Sequence, residues 1–289
     1  MTRLIVNADD FGLTSGVNRA IVELHSAGVL TSATLMARAP AAEEAMEIAR
    51  QTPSLGVGCH VVLVDGEAAL PAEKVRTLLA KDTGWLHPTL GDFLKRLYTF
   101  RIRSGDIEAE TAAQIALLQA RGLKLTHIDT HKHVHMFPKV LRPVLHAAKA
   151  AGIRTVRNPF EPLWSLAATP NAPESRRTQV LFLRRFERAF LRIVAREGFT
   201  TTDGAVGVLA TGTLDITTLN SLLPVMPVGT WELVSHPGYN DAALAQANTR
   251  LLASRQIERN ALMALKGYRG MDLISFAGIH PGAEPIRQQ

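Results

Sequence analysis

Short runs of apolar, largely β-branched residues alternate with longer stretches of helical periodicity along most of the chain. Short apolar runs bounded by turn residues indicate strands, and apolar residues three and four positions apart indicate helices. The predicted strands are Leu4–Asn7, Ser32–Ala37, Leu55–Leu63, Leu123–Asp129, Arg154–Arg157, Ala205–Ala210, Gly229–Ser235 and Asp272–Phe276. The predicted helices are Val17–Ala27, Ala41–Arg50, Leu90–Tyr98, Ile107–Arg121, Lys139–Ala151, Thr178–Glu197, Ile216–Leu223 and Asp241–Leu265.

This alternation predicts an α/β fold built on a parallel sheet, either open or closed into a barrel. Seven or eight such units favour a (β/α) barrel of seven or eight strands, and 289 residues suit one barrel domain. No internal repeat or compositional break divides the chain, so a single domain is expected over residues 1–289. The expected insertions lie near 64–105 and 159–175, and long connections of this kind often form lids or specificity loops.

The composition narrows the class of function. Hydrophobic residues make up 46% and charged residues 20% of the chain, which indicates a folded domain. The net charge of +6 comes largely from the arginine-rich stretch 176–196. Without interleaved aromatic residues or a DNA-binding motif, that charge does not indicate nucleic acid. A single cysteine excludes an internal disulfide. The first residues lack a signal-peptide pattern and no run is long enough to cross a bilayer, so a cytoplasmic protein is expected.

Ionisable residues lie at or just after the ends of four separate predicted strands. Asp9 and Asp10 follow the first strand, His60 lies near the end of the third, His131 follows the fourth and His236 follows the seventh. Because the carboxyl ends of parallel strands share one rim, these side chains are expected to meet there. One carboxylate and two imidazoles are sufficient to hold a divalent metal with open positions. Taken singly, one of the two aspartates also has a structural explanation as a helix cap, His60 as a core histidine and His236 as a turn residue. The cap does not explain both aspartates.

The segment Thr126–His135 contains four of the ten histidines. Imidazole is a common metal ligand, and imidazoles at two-residue spacing rarely accumulate for packing reasons. If the strand continues through this segment, every second side chain points to one face. Those side chains are His127, Asp129, His131 and His133. The face is expected to be the floor of a metal site, with a polar loop as the alternative.

Five motifs make the chain resemble the YdjC-like carbohydrate deacetylases, a family that includes chitooligosaccharide deacetylase and a deacetylase associated with hopanoid biosynthesis. The first and fourth motifs are the specific ones, and all five occur in the family's order over most of the chain. The resemblance implies a distorted (β/α) barrel of the polysaccharide-deacetylase kind, which removes N-acetyl groups from amino sugars with a divalent cation. The motifs are Asn7–Gly12 with Gly16–Asn18, Thr31–Met36, Gly58–His60, Thr126–His131 with His133–Met136, and His236–Tyr239.

The resemblance implies that Asp10, His60 and His131 are the metal ligands. The chain departs from the family's usual pattern at Thr130 and Lys132, so the role of position 132 is open. The expected cofactor is one divalent cation, either Zn²⁺ or Mg²⁺. Two imidazole ligands favour zinc over magnesium, without deciding between them.

The resemblance further implies that Asp9 is the general base and His236 the general acid of amide hydrolysis. Two interpretations of Arg157 remain: it holds the base or the substrate, or it forms a surface ion pair. Two rival functions also remain, a metallophosphoesterase on a barrel scaffold and a non-catalytic sugar-binding module. The first would need additional bridging carboxylates, and the second has no need of adjacent aspartates.

Residues 178–197 predict a basic amphipathic helix, because arginines recur at four-residue steps from Arg184 to Arg196 beside an apolar stripe. Two interpretations remain: a solvated basic face, or peripheral contact of the Arg184–Arg196 helix with anionic lipid headgroups. The segment Arg157–Pro162 is similar to the hopanoid branch of the family, whose substrate is a sugar on a membrane lipid. The expected partner is therefore an N-acetylated sugar, in a glycolipid or a chitooligosaccharide. The sequence leaves a homo-oligomer open.

Overall fold

The computed structural model describes residues 2–81 and 84–279. Residue 1, residues 82–83 and residues 280–289, which the predicted domain includes, lie outside the described residues. Within the described ranges the strands are β1 (Arg3–Phe11), β2 (Ser32–Leu35), β3 (Gly56–Val61), β4 (Ile128–Thr130), β5 (Gly204–Val206), β6 (Thr230–Ser235) and β7 (Asp272–Leu273). The helices are α1 (Ser15–Ser26), α2 (Ala42–Gln51), α3 (Leu90–Tyr98), α4 (Ser104–Ala120), α5 (Pro138–Ala150), α6 (Leu163–Ala167), α7 (Glu174–Leu183), α8 (Glu187–Glu197), α9 (Ile216–Leu222), α10 (Ala242–Gln246) and α11 (Ala253–Met263).

The described strands form one parallel sheet in the order β4-β3-β2-β1-β6-β5, and β7 pairs with the start of β1. This is a half-barrel α/β sheet, compatible with the predicted distorted barrel. Isolated parallel bridges continue the pairing beyond β4, since Ile128 pairs with Val156 and Thr155 with Thr200. The predicted fifth strand, Arg154–Arg157, is thus reduced to single bridges. Pro159, which has no N–H to donate, closes the run soon afterwards.

The central strand β1 determines where the site lies. It pairs with β2 on one side and β6 on the other, and every residue from Leu4 to Phe11 is buried. Parallel strands place their carboxyl ends along one edge of the sheet, here called the carboxyl edge. Helices that follow the strands begin near this edge. The connections after β1, β2, β3, β4 and β6 therefore surround one opening at the carboxyl edge.

Local capping explains where several helices begin and end. The side chain of Thr14 accepts a hydrogen bond from the N–H of Val17 and begins α1. Asp215 caps α9 in the same way. Gly198, in the left-handed conformation at a φ of 75°, ends α8.

The predicted helix over residues 178–197 is broken, which corrects the single Arg184–Arg196 helix. A 3₁₀ turn at Arg184–Phe186 separates α7 from α8. At this junction Arg184 donates to the carbonyl of Glu161 and pairs with Glu187, so its side chain is held inward. The later arginines of the stretch, Arg188, Arg192 and Arg196, are exposed on α8.

The predicted helix over residues 241–265 is also broken. It becomes α10 and α11, because Ala247 and Leu252 both leave the helical conformation. The insertions likewise contain short helices: the first includes α3, and the second includes α6. Across residues 2–81 and 84–279, no helix has both the length and the apolar character needed to span a membrane.

A glycine in β3 makes room for a buried histidine. His127 stacks on Phe276 with 3.8 Å between ring centroids. It also lies over Gly58, where an added Cβ would come within 2.5 Å of the imidazole. Burial lowers the pKa of His127 to about 3, so this imidazole is neutral and packs as a core side chain.

We predict that Gly58→Ala lowers the free energy of unfolding by about 1–3 kcal/mol, because the strand backbone and the imidazole must both shift. Chemical denaturation followed by circular dichroism measures the change. Gly105→Ala in α4 is the matched control, since nothing lies within 4 Å of its added Cβ, and it should leave stability unchanged or slightly raised. Equal stability of Gly58→Ala and the wild type would contradict the packing described here.

Candidate functional site

Asp9 and Asp10 lie inside β1 rather than after it, which corrects the predicted strand end at Asn7. The register with β2 shifts between Ala8 and Phe11, and Asp10 has a φ of 63° in the left-handed region. Successive side chains of a regular strand point to opposite faces. The irregular backbone at Asp10 allows the carboxylates of Asp9 and Asp10 to face the same site. Such backbone strain in a non-glycine residue is typical of functional positions.

Asp10, His60 and His131 come together at the carboxyl edge. Oδ1 of Asp10 lies 3.6 Å from Nε2 of His60 and 3.5 Å from Nδ1 of His131. The three donor atoms all lie within 4.8 Å of one another. One carboxylate oxygen and two imidazole nitrogens form a donor set for a first-row divalent cation, with positions left for water and substrate. The residues therefore fit the metal that the sequence predicts.

Buried side chains next to His60 and Asp10 orient these two candidate ligands. Nδ1 of His60 lies 2.8 Å from Oδ1 of Asp129, and Nε2 is the ring nitrogen that faces Asp10. Burial opposes a charge on this imidazole, but Asp129 outweighs burial and raises the pKa of His60 to about 9, so a metal at Nε2 would displace a proton. Nη2 of Arg255 donates to Oδ2 of Asp10 at 2.5 Å and leaves Oδ1 facing the two imidazoles. Burial opposes the charge on Asp10, but Arg255 and His131 hold its pKa well below the usual range.

Asp9 belongs to a buried ion-pair cluster centred on Arg157. The guanidinium donates to both oxygens of Asp9, at 2.9 Å and 2.6 Å, and to Glu232 at 2.6 Å, and it also pairs with Asp129. Burial alone would raise the pKa of Asp9, but Arg157 outweighs it and holds that pKa well below the usual range. Asp9 is therefore an ionised, fixed carboxylate, and the surface-ion-pair interpretation of Arg157 is wrong.

His236 faces Asp9 across the site. Its Nε2 lies 3.8 Å from Oδ2 of Asp9, and its Nδ1 lies 3.9 Å from Oε2 of Glu258. The backbone N–H of His236 donates to the same Glu258 oxygen at 2.6 Å. Burial lowers the pKa of His236 to about 4 against the pull of the aspartates. The resting imidazole is therefore neutral at pH 7, whereas the role implied by the resemblance needs a proton on it.

The other histidines near β4 do not join the ligand set. The strand ends at Thr130, and a 3₁₀ turn follows with Lys132 and His133 in the left-handed conformation. The alternation predicted through His133 is therefore wrong, because the strand ends before it. Nε2 of His135 lies 3.2 Å from the carbonyl oxygen of Arg157 and supports that backbone.

Three buried charged residues of the site were not predicted from the ends of the strands: Glu232, Arg255 and Glu258. Glu232 did leave a signal, since an acidic residue interrupts the apolar run of β6. Arg255 and Glu258 lie one helical turn apart on α11, where they are buried at the site. Nothing in the local sequence marks them, because their burial depends on the packing of α11 against α1 and α9.

A mononuclear donor set beside an aspartate–histidine pair, at the carboxyl edge of a parallel sheet, defines an α/β protein with a candidate hydrolytic metal centre. A family model described as YdjC-like protein matches residues 3–266. The chain belongs to the YdjC-like family, which confirms the resemblance seen in the sequence motifs.

Relatives with assigned names agree with this membership. A carbohydrate deacetylase of Brevibacillus brevis is 43% identical over 148 residues, which are 51% of this chain and 56% of that protein. The chain thus spans little more than half the length of that relative. A carbohydrate deacetylase of Mus musculus is 32% identical over 82% of this chain and 78% of that protein.

A solved structure agrees on the architecture. An Enterococcus faecalis protein, named provisionally for cellobiose-phosphate cleavage, matches with a TM-score of 0.71 at 24% identity. The match covers 95% of this chain and 97% of that chain. At this identity the likeness concerns the fold alone.

We predict that Asp129→Asn weakens Zn²⁺ binding by about 10- to 100-fold, because the carboxylate that orients His60 is lost. Calorimetric titration of chelator-treated protein with Zn²⁺ measures the affinity. Asp215→Asn is the matched control, since this side chain caps α9 and asparagine caps a helix equally well. Unchanged Zn²⁺ affinity in Asp129→Asn would show that the contact with His60 does not orient a ligand.

Proposed function

We propose that this protein is a metal-dependent hydrolase that removes N-acetyl groups from an amino sugar. One observation carries the proposal: Asp9, ionised and fixed by Arg157, lies 3.8 Å from His236 and beside the candidate metal ligands. Membership of the YdjC-like family and relatives named carbohydrate deacetylase support the substrate class.

Asp9 is the proposed general base. A divalent cation held by Asp10, His60 and His131 would polarise the acetyl carbonyl and make a water molecule more acidic. Asp9 accepts a proton from the attacking water, whose oxygen bonds to the amide carbon. Arg157 binds both oxygens of Asp9, so the base stays ionised and cannot rotate out of position.

His236 is the proposed source of the proton that the leaving amine needs. Because its resting imidazole is neutral, the proton must reach it during the reaction. The separation of 3.8 Å from Asp9 gives the proton taken from water a short path to His236 and then to the amine nitrogen. The C–N bond breaks as this nitrogen is protonated, which yields the free amine and acetate.

A metallophosphoesterase is less well supported. Many such enzymes place two metals about 3.5–4 Å apart between bridging carboxylates. Asp9, His60 and Asp129 form a second donor group beside the first. Arg157 pairs with both of its carboxylates, so a guanidinium already supplies the positive charge there. This arrangement favours chemistry that one metal supports.

A non-catalytic sugar-binding module would not require this cluster. Burying carboxylates is costly unless they are paired, and the chain uses two buried arginines to pair Asp9 and Asp10. Binding a neutral sugar needs neither aspartate in an ionised state. The arrangement is explained more simply by proton transfer and metal binding.

We predict that Asp9→Asn lowers the rate of acetate release by about 100- to 10,000-fold, because an amide cannot accept the proton from water. The assay measures acetate released from N,N′-diacetylchitobiose and from an N-acetylglucosaminyl lipid. Asp215→Asn, an equivalent change in a helix cap, should retain the wild-type rate. Chelation should abolish the wild-type rate, and added Zn²⁺ or Mg²⁺ should restore it.

Three results would oppose the proposal. Acetate release by Asp9→Asn at the wild-type rate would remove Asp9 as the base. Sugar binding without acetate release, whichever metal is added, would favour a binding module. Metal-dependent release of phosphate from sugar phosphates, without acetate release, would favour a phosphoesterase.

Two carriers of the amino sugar are compatible with this chemistry: a membrane glycolipid, such as an N-acetylglucosaminyl hopanoid, and a chitooligosaccharide. The glycolipid carrier predicts that the protein co-sediments with anionic liposomes through Arg188, Arg192 and Arg196 of α8. Replacing all three by glutamine should then reduce co-sedimentation, whereas Arg184→Gln should have a smaller effect because Arg184 is held inward. Sedimentation that does not depend on anionic lipid would exclude this contact.

A further inference from the structure

The first insertion contains a small antiparallel ladder that begins close to the end of β3. Residues 65–68 pair with residues 84–87 through the bridge between Glu67 and Trp85. The N–H of Leu86 donates to the carbonyl of Gly66 at 2.9 Å. Since β3 ends at Val61, the ladder starts at the carboxyl edge of the sheet.

The ladder has an inner and an outer face. Leu79 and Leu86 pair on the inner face and are buried, so they supply its core contacts. The neighbouring Trp85 lies on the outer face and is 59% exposed. Its bridge partner Glu67 shares that face and binds Arg38, which follows β2, at 2.5 Å.

A second contact ties the outer face to the candidate metal site. Asp65 accepts hydrogen bonds from Nζ of Lys132 at 2.7 Å and from Nδ2 of Asn248 at 2.5 Å. Lys132 is adjacent in sequence to the candidate ligand His131, and Asn248 lies between α10 and α11. The outer face thus meets segments that follow β2 and β4 and one that precedes α11. This places Trp85 at the rim of the same opening.

From this juxtaposition we infer that Trp85 and the adjacent Arg38–Glu67 pair form a subsite for a second pyranose ring, next to the amino sugar whose acetyl group is removed. A pyranose has an apolar C–H face that packs on an aromatic ring, and hydroxyls that need donors and acceptors. Arg38 and Glu67 are 43% and 45% exposed, so they offer both kinds of group. These three side chains would then favour binding of an oligosaccharide over a single sugar.

The inference rests on the proposed deacetylase function for its substrate, but its test measures binding and not hydrolysis. Dissociation constants of N-acetylglucosamine and tri-N-acetylchitotriose are measured by calorimetry with Zn²⁺ present, in an Asp9→Asn background that hydrolyses slowly. Trp85→Ala should reduce the preference for the trisaccharide by about tenfold, and Trp85→Phe, which keeps a ring, by about two- to threefold. Phe100→Ala is the matched control: this aromatic side chain is 82% exposed outside the ladder, and its loss should not change the preference.

Fluorescence provides a second readout that does not depend on Trp85→Ala folding. Binding of the trisaccharide should change the tryptophan emission of the parent protein, and Trp85→Phe should remove that change. A preference unaltered in Trp85→Ala, a parent that binds both sugars equally, or an emission change that persists in Trp85→Phe would each overturn the subsite. A Trp85-dependent preference in a wild type that releases no acetate would retain the subsite and contradict the deacetylase proposal alone.

Discussion

The buried guanidinium of Arg157 is the interaction on which the rest of the structure depends. It pairs with Asp9 of β1, Asp129 of β4 and Glu232 of β6, and all four side chains are buried. Breaking a buried ion pair by removing one partner typically costs about 3–5 kcal/mol. Loss of Arg157 would remove the guanidinium that all three carboxylates share. One cation therefore joins strands from both sides of the central strand, at the place where the site is formed.

The same cation links the two halves of the proposed chemistry. Through Asp9 it fixes the candidate base, and through Asp129 it fixes the carboxylate that orients His60 towards a metal. Base and ligand are thus positioned by one rigid group rather than by independent loops, which keeps their separation constant. His135 in turn bonds to the Arg157 carbonyl, so the histidine-rich segment supports the cluster even where it does not reach the metal ligands.

The sequence predicted the parallel α/β sheet. It also predicted that Asp10, His60 and His131 lie close together, because topology alone places the carboxyl ends of parallel strands at one edge. The sequence did not predict the backbone irregularities. Asp10 has a left-handed conformation inside β1, where the register with β2 shifts, and Lys132 and His133 have it in the turn that follows the end of β4. Hydrophobic patterning does not encode these conformations. The sequence did not predict the burial of Arg255 either, since a charged residue on a polar helix becomes a site residue only through tertiary packing.

Charge balance explains why the fold would favour a cation at the candidate ligands. In the described part of the chain, Arg157 and Arg255 are in contact with four buried carboxylates, Asp9, Asp10, Asp129 and Glu232. Burial disfavours ionised carboxyl groups and raises the pKa of Glu232 to about 7. Asp129 raises the pKa of His60 to about 9, so this imidazole supplies part of the balancing charge when no metal is bound. Arg255 binds one oxygen of Asp10 and leaves the other facing two imidazoles. A divalent cation at that oxygen would displace the proton of His60 and add positive charge beside Asp10, so metal binding and the stability of the sheet's centre depend on the same carboxylates.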